Sequence, residues 1–257
     1  MVVSDSLSGT SEDAALGGRL LLRQPLRGHR FGHDAILLAA ATAARAGQHA
    51  LDLGAGVGAA GLALARRIEG VRVTLVDIDP ALAALAQDNA ARNGMEARVR
   101  ALCLDVDAPA EAFAAAGLAA ESIDCVLMNP PFNSAQNPSP DLQRRAAHEA
   151  AADTLDKWIR TAWRLLRPSG ELTLVWRADG IADVLAGVAA GFGAVEVLPI
   201  YPKPEAAAIR VIARAVKASR APLALLPGLV LADNNGKPTA QAEAVLRGGA
   251  SLLLASR

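Results

Sequence analysis

His49-Ala-Leu-Asp52-Leu-Gly54-Ala-Gly56-Val-Gly58-Ala-Ala-Gly61 reads as an apolar strand that turns sharply on glycine into a helix. Glycine accepts left-handed backbone angles and lets main chain approach a ligand closely. The helix amino terminus beyond it carries unpaired N–H groups and partial positive charge, which suit a carboxylate or a phosphate. Gly56, Gly58 and Gly61 meet the G-x-G-x-x-G spacing. Asp77 follows about 20 residues later, where an acid can accept hydrogen bonds from ribose hydroxyls.

Working outward, residues 34–45 read as a helix before this strand, and 71–76 as a second strand. Pro80 opens a helix over 80–93 that Gly94 closes. Further strands are expected at 99–104, 124–128, 171–176, 195–201 and 210–216, separated by Ala-rich helical stretches. Short strands apolar on both faces belong in a buried parallel sheet. Their alternation with helices implies right-handed crossovers and a Rossmann-like, doubly wound α/β fold with a mostly parallel seven-stranded sheet. Residues 1–17, rich in Ser, Thr, Asp and Gly, are expected as a flexible tail. The rest, 18–257, is expected as one domain: an N-terminal lid segment over 18–46, a catalytic core over 47–217 and a small C-terminal extension over 218–257. Residues 132–150 are rich in Asn, Ser and Pro and predict a long substrate-side loop.

The 257 residues are 52% hydrophobic and 20% charged, with 26 basic and 26 acidic side chains. A chain of this size fills a large core without a disulfide staple, and Cys103 and Cys125, both in apolar runs, read as buried and reduced. The first 17 residues lack the charged start and apolar stretch of an export signal, so the expected location is cytoplasmic. The longest apolar stretch, 35–44, is about ten residues, short of the roughly 20 that span a bilayer, so no membrane association is expected. Zero net charge removes any global argument for nucleic-acid binding and leaves local clusters to carry one.

The glycine turn alone fits either a nicotinamide or flavin dinucleotide or the nucleoside of S-adenosylmethionine. Asp52 shifts the balance, because an acid there can hold a ligand ammonium, which a methionine moiety has and a dinucleotide lacks. LDLGAGVG, with VDIDP and CLDV at the ends of successive strands, resembles the donor motifs of class I S-adenosylmethionine-dependent methyltransferases. The resemblance implies that Asp52, Gly54, Gly56 and Gly58 cradle the donor, with Asp77 on the ribose. It also sets Ile78 beside the adenine and Asp105 and Val106 near the adenine amino group.

Asn129-Pro130-Pro131-Phe132 follows the fourth strand, at the carboxyl end where open α/β sheets bind ligands. Two prolines stop the strand, so the Asn129 side chain and the Pro130 carbonyl can aim the same way. Two acceptors hold the two hydrogens of a conjugated amino group and orient its nitrogen for in-line transfer, while Phe132 offers a stacking face. The tetrapeptide resembles the N-P-P-[YF] signature of amino methyltransferases, whose acceptors include adenine, guanine and protein glutamine.

Residues 30–40, this tetrapeptide and the stretch 221–246 together are similar to the bacterial family of tRNA adenine-N6 methyltransferases that modify the valine tRNA anticodon loop. Phe132 stands where that family usually has Tyr. The family resemblance implies that Gly32 and Asp34 close over the donor, that tRNA is the partner with no obligate protein partner, and that no metal is needed. Basic residues form three clusters: Arg19, Arg23, Arg27, His29, Arg30 and His33, with no acid between Asp13 and Asp34; Arg210, Arg214, Lys217 and Arg220, with none between Glu205 and Asp233; and Arg144 with Arg145 in the long loop. Such clusters can contact phosphates. A protein-glutamine N5-methyltransferase and a nicotinamide-dependent oxidoreductase stand as alternatives. His148, Glu149 and Asp153 lack metal-ligand spacing, and Trp158 and Trp163 read as packing residues.

Overall fold

A strand buried on both faces sends alternate side chains into two apolar layers. The computed structural model describes residues 9–27, 30–131 and 141–252, with 141–150 by backbone alone. The hairpin β1 (Thr10–Ala15) and β2 (Leu20–Pro25) is followed by α1 (His33–Ala41). The core then runs β3 (His49–Leu53), α2 (Ala59–Arg67), β4 (Arg72–Asp77), α3 (Pro80–Arg92), β5 (Val99–Cys103), α4 (Ala110–Ala115) and β6 (Ile123–Met128). It continues through α5 (Asp141–Leu165), β7 (Leu166–Arg177), α6 (Ile181–Ala189), β8 (Phe192–Tyr201) and β9 (Arg210–Lys217). Two short strands, β10 (Ala224–Leu225) and β11 (Leu229–Val230), and α7 (Ala240–Leu246) complete it.

The sheet order is β10-β8-β9-β7-β6-β3-β4-β5, with β11 also on β8, and within it only β9 runs antiparallel to its neighbours. The seven long strands form the expected Rossmann-like α/β sheet, which β10 and β11 extend to nine. In β3, Ala50 joins the layer built with α1, α2 and α3, while Leu51 and Leu53 join the layer built with α5 and α6. A third cluster lies between α1, β8, β9 and α7 and ties the C-terminal extension to the core.

Three expectations are corrected. Residues 10–15, expected in a flexible tail, form β1, because its ladder with β2 satisfies a segment whose composition is polar. The long loop expected through residue 150 ends at Asp141, where α5 begins. Cys103 is exposed, since it ends the edge strand β5, whereas Cys125 in central β6 is buried. Asp79 caps α3 by accepting the N–H groups of Ala81 and Leu82, at 2.8 and 3.4 Å, just before Pro80 enters the first turn.

Candidate active site

The parallel strands β3, β4, β5 and β6 end side by side, with Leu53 beside Val76 and Met128, and Asp77 beside Cys103. That shared edge holds the glycine turn. Gly54, Gly56 and Gly58 take φ values of 67°, 55° and 86°, a region where other L-residues are strained. A side chain at Gly54 would lie 2.1 Å from the ring of Trp158 on α5, and one at Gly61 would lie 2.3 Å from Leu75. At Gly56 none of the described residues lies within 4 Å. The turn is therefore tightly packed from beneath and open over Gly56, which is the geometry of a cradle.

Two acids brace it. Asp77, at the end of β4, accepts the N–H of Gly56 at 2.7 Å with one oxygen and that of Asp79 at 2.9 Å with the other. Each carboxylate oxygen keeps a further lone pair for a ligand hydroxyl. Asp52 is buried beneath the turn and accepts the N–H of Gly61 at 2.8 Å, inside the first turns of α2. Burial pushes its carboxyl up to about 7; the Gly61 N–H opposes this and the charge of Asp77 adds to it. One Asp52 oxygen thus holds α2, where the sequence suggested a ligand ammonium alone.

Ile78, directly after Asp77, is 63% exposed and offers an apolar face to a flat ring. Asp105 is exposed and accepts the Asp107 N–H at 2.9 Å, leaving its carboxylate at the same edge. Val106 sends its side chain into the core, so a ligand can meet only its backbone, whose carbonyl already accepts the Thr161 hydroxyl at 2.9 Å. Gly32 is the N-cap residue of α1. Asp34, in the first turn of α1, accepts from Arg210 at 2.9 Å, which pins that turn to the start of β9.

Asn129 follows β6, half-buried, and its Oδ1 is a buried acceptor without a hydrogen-bond partner among the described residues. Pro130 is buried and Pro131 exposed. Phe132, His29 and the side chains of Arg144, Arg145, His148 and Glu149 lie outside the described residues. Among the rest of the basic clusters, several charges are spent inside the protein. Arg30 pairs with Asp13 at 2.7 Å, Arg214 with Glu196 at 2.5 Å and Lys217 with Glu121 at 2.9 Å. Arg19 holds the carbonyls of Leu16 and Arg247. Acids distant in sequence are neighbours in space, so the clusters are less basic than the sequence suggests.

Trp158 contributes more than packing, because its ring defines the floor under Gly54. Sequence reading missed Asn89 altogether. It is fully buried in α3 and donates to the Val57 carbonyl, inside the glycine turn, at 3.0 Å.

Relatives carry related names. Over 160 residues, 60% of this chain and 61% of the relative, the chain is 34% identical to a tRNA1(Val) (adenine(37)-N6)-methyltransferase of Porphyromonas gingivalis. Over 161 residues, 58% of this chain and 54% of the relative, it is 34% identical to a release factor glutamine methyltransferase of Moorella thermoacetica. The chain spans about three fifths of the first relative's length and just over half of the second's. A crystal structure of a predicted O-methyltransferase from Agrobacterium tumefaciens superposes with a TM-score of 0.72 at 31% identity, covering 85% of this chain and 97% of that one. The methyltransferase small domain family matches residues 31–203, from just before α1 to just past β8, so the chain belongs to that family.

Proposed function

We propose that the chain methylates the exocyclic N6 amino group of an adenine in tRNA. The family membership closes the nicotinamide alternative. The observation that carries the reading is the buried, unpartnered Oδ1 of Asn129 at the edge that also holds the glycine turn. Leaving such an acceptor unsatisfied costs about 1–3 kcal/mol. An incoming amino group repays that cost.

The residues present fit S-adenosylmethionine: the open face over Gly56 takes main-chain contact, Asp77 has lone pairs for ribose hydroxyls, and exposed Ile78 meets a flat base. Bound there, the donor supplies an electrophilic methyl on a sulfonium. Asp105 and the Val106 N–H serve the adenine edge, Asp52 remains the acid nearest the methionine end, and Gly32 and Asp34 close the α1 side. Asn129 Oδ1 and the Pro130 carbonyl accept the two amino hydrogens, so nitrogen electron density points along the transfer line and the charge developing on nitrogen is stabilised. The N–C bond forms as the C–S bond breaks, its electron pair stays on sulfur, and the surplus amino proton leaves to solvent. Phe132 stacks the extracted base.

The name of the Porphyromonas gingivalis relative supports tRNA as partner, which implies a cytoplasmic setting. Among the described residues no helix is long and apolar enough to cross a membrane. The test is incubation with methyl-labelled S-adenosylmethionine, unmodified tRNA and cell extract, followed by ribonuclease or protease. Label recovered as N6-methyladenosine from tRNA is the expected result. Label that survives ribonuclease and is lost to protease would transfer the acceptor to a protein glutamine.

A further inference from the structure

β2 lies on α2 and α3 with Leu20 and Leu22 fully buried, and β1 covers only one of its edges. Its other edge would present bare N–H and C=O groups, a state that buried backbone avoids. Two asparagines four residues apart, Asn89 on α3 and Asn93 at its C-cap, fill it as a strand would. Asn93 accepts the Leu21 N–H at 3.1 Å and donates to the Leu21 carbonyl at 2.7 Å. Asn89 accepts the Arg23 N–H at 2.8 Å and donates to the Arg23 carbonyl at 2.9 Å.

The two spend their second Nδ2 hydrogen differently: that of Asn93, which is only half-buried, goes to the Asn89 carbonyl at 2.8 Å. The Nδ2 of Asn89 also donates to the Val57 carbonyl at 3.0 Å, between Gly56 and Gly58. One amide, fully buried, therefore joins the N-terminal hairpin to the turn whose open face lies over Gly56. Asn89 spends its oxygen on the hairpin and both N–H groups on carbonyls, one from each side. Either side losing its bond would leave a buried group unpaired.

We infer that Asn89 is a positioning residue for the methyl donor, coupling the shape of the Gly54–Gly58 turn to the docking of residues 20–25. This rests on the turn being the donor site. On this inference the hairpin is part of the donor-binding apparatus, acting through Asn89. Asn93 supplies the control, because it holds the same strand edge without reaching the turn.

The experiment compares the wild type with Asn89→Ala and Asn93→Ala. Calorimetry with S-adenosylmethionine should show the Kd rising about tenfold in Asn89→Ala and staying within about twofold in Asn93→Ala, while kcat at saturating donor falls less than about threefold in both. Hydrogen exchange on the wild type provides an arm that needs no variant. Saturation with S-adenosylhomocysteine should slow exchange of the Leu21 and Arg23 amides several-fold. An unchanged Kd in Asn89→Ala, equal weakening in Asn93→Ala, or hairpin exchange indifferent to ligand would each overturn the coupling. A wild type that binds no S-adenosylmethionine would instead remove the donor site itself.

Discussion

At Asn129 a buried acceptor waits for a donor, and at Asp52 a buried carboxyl waits for compensation; these two residues make opposite predictions about binding and chemistry. On the proposed mechanism, removing the Asn129 amide takes away one of two acceptors that matter most as charge develops on nitrogen. Asn129→Ala should therefore lower kcat about 10²–10³-fold while the donor Kd, read by calorimetry, stays near that of the wild type. Asp52 acts on stability. Its carboxyl is pushed up to about 7 in the folded protein from an ordinary 3.8. Between those values the unfolded chain has released the proton while the folded chain retains it, so stability falls as pH rises from about 4 to about 7 and is level above. The full span is worth roughly 4 kcal/mol. Chemical denaturation of Asp52→Asn should lack this slope; a slope equal to that of the wild type would place the titration elsewhere. These residues were legible in sequence because strand-end acids and the Asn-Pro-Pro turn have fixed places along the chain. Asn89 was not, because a lone asparagine within a helix pattern gives no sign that it faces a strand edge 66 residues away.

The turn and α5 meet where Gly54 has no side chain and Trp158 fills the space. Gly54→Ala should destabilise through two effects: a left-handed φ of 67° that alanine resists, and a Cβ set 2.1 Å from the indole. The first costs about 1–2 kcal/mol. The second depends on the ring, so adding Trp158→Ala should recover about 1–3 kcal/mol in a double-mutant cycle. Additivity would mean that helix and turn are independent. The long strands were legible because burial on both faces forces apolar runs, as in residues 125–128. β1 was hidden because Thr10–Ala15 carries Ser, Glu and Asp and gains its order from β2. The start of α5 was hidden because Asn, Ser and Pro in residues 133–140 read as a loop that continues onward, and a helix built on Asp141 breaks that reading.

Across the whole molecule charge balances at 26 basic and 26 acidic side chains, so attraction to RNA depends on which cations remain available after folding. Each phosphate contact contributes close to one unit to the slope of log affinity against log salt. Counting the sequence clusters directly would give about nine units. Folding removes the inner members of those clusters. Lys217 is 3% exposed, bonded to Glu121 and the Leu166 carbonyl and stacked over Trp163, and Arg214 lies against Glu196 and Glu171. Arg19 and Arg210 hold carbonyls and Asp34 of the protein itself, and Arg23 and Arg30 face Asp88 and Asp13. Arg27 and Arg220, both exposed, remain as candidates, and the sequence adds Arg144 and Arg145, whose side chains lie outside the described residues. The expected slope for tRNA is therefore about −4, measured by titration between about 50 and 200 mM salt. Arg27→Ala and Arg220→Ala should each make it shallower by about one unit. Lys217→Met should leave it unchanged while lowering the melting temperature, since that charge stabilises the fold and cannot reach a phosphate without leaving its partners. A slope near −9 would mean that the internal pairs open on binding and that the fold surrenders part of its own electrostatics to hold the RNA.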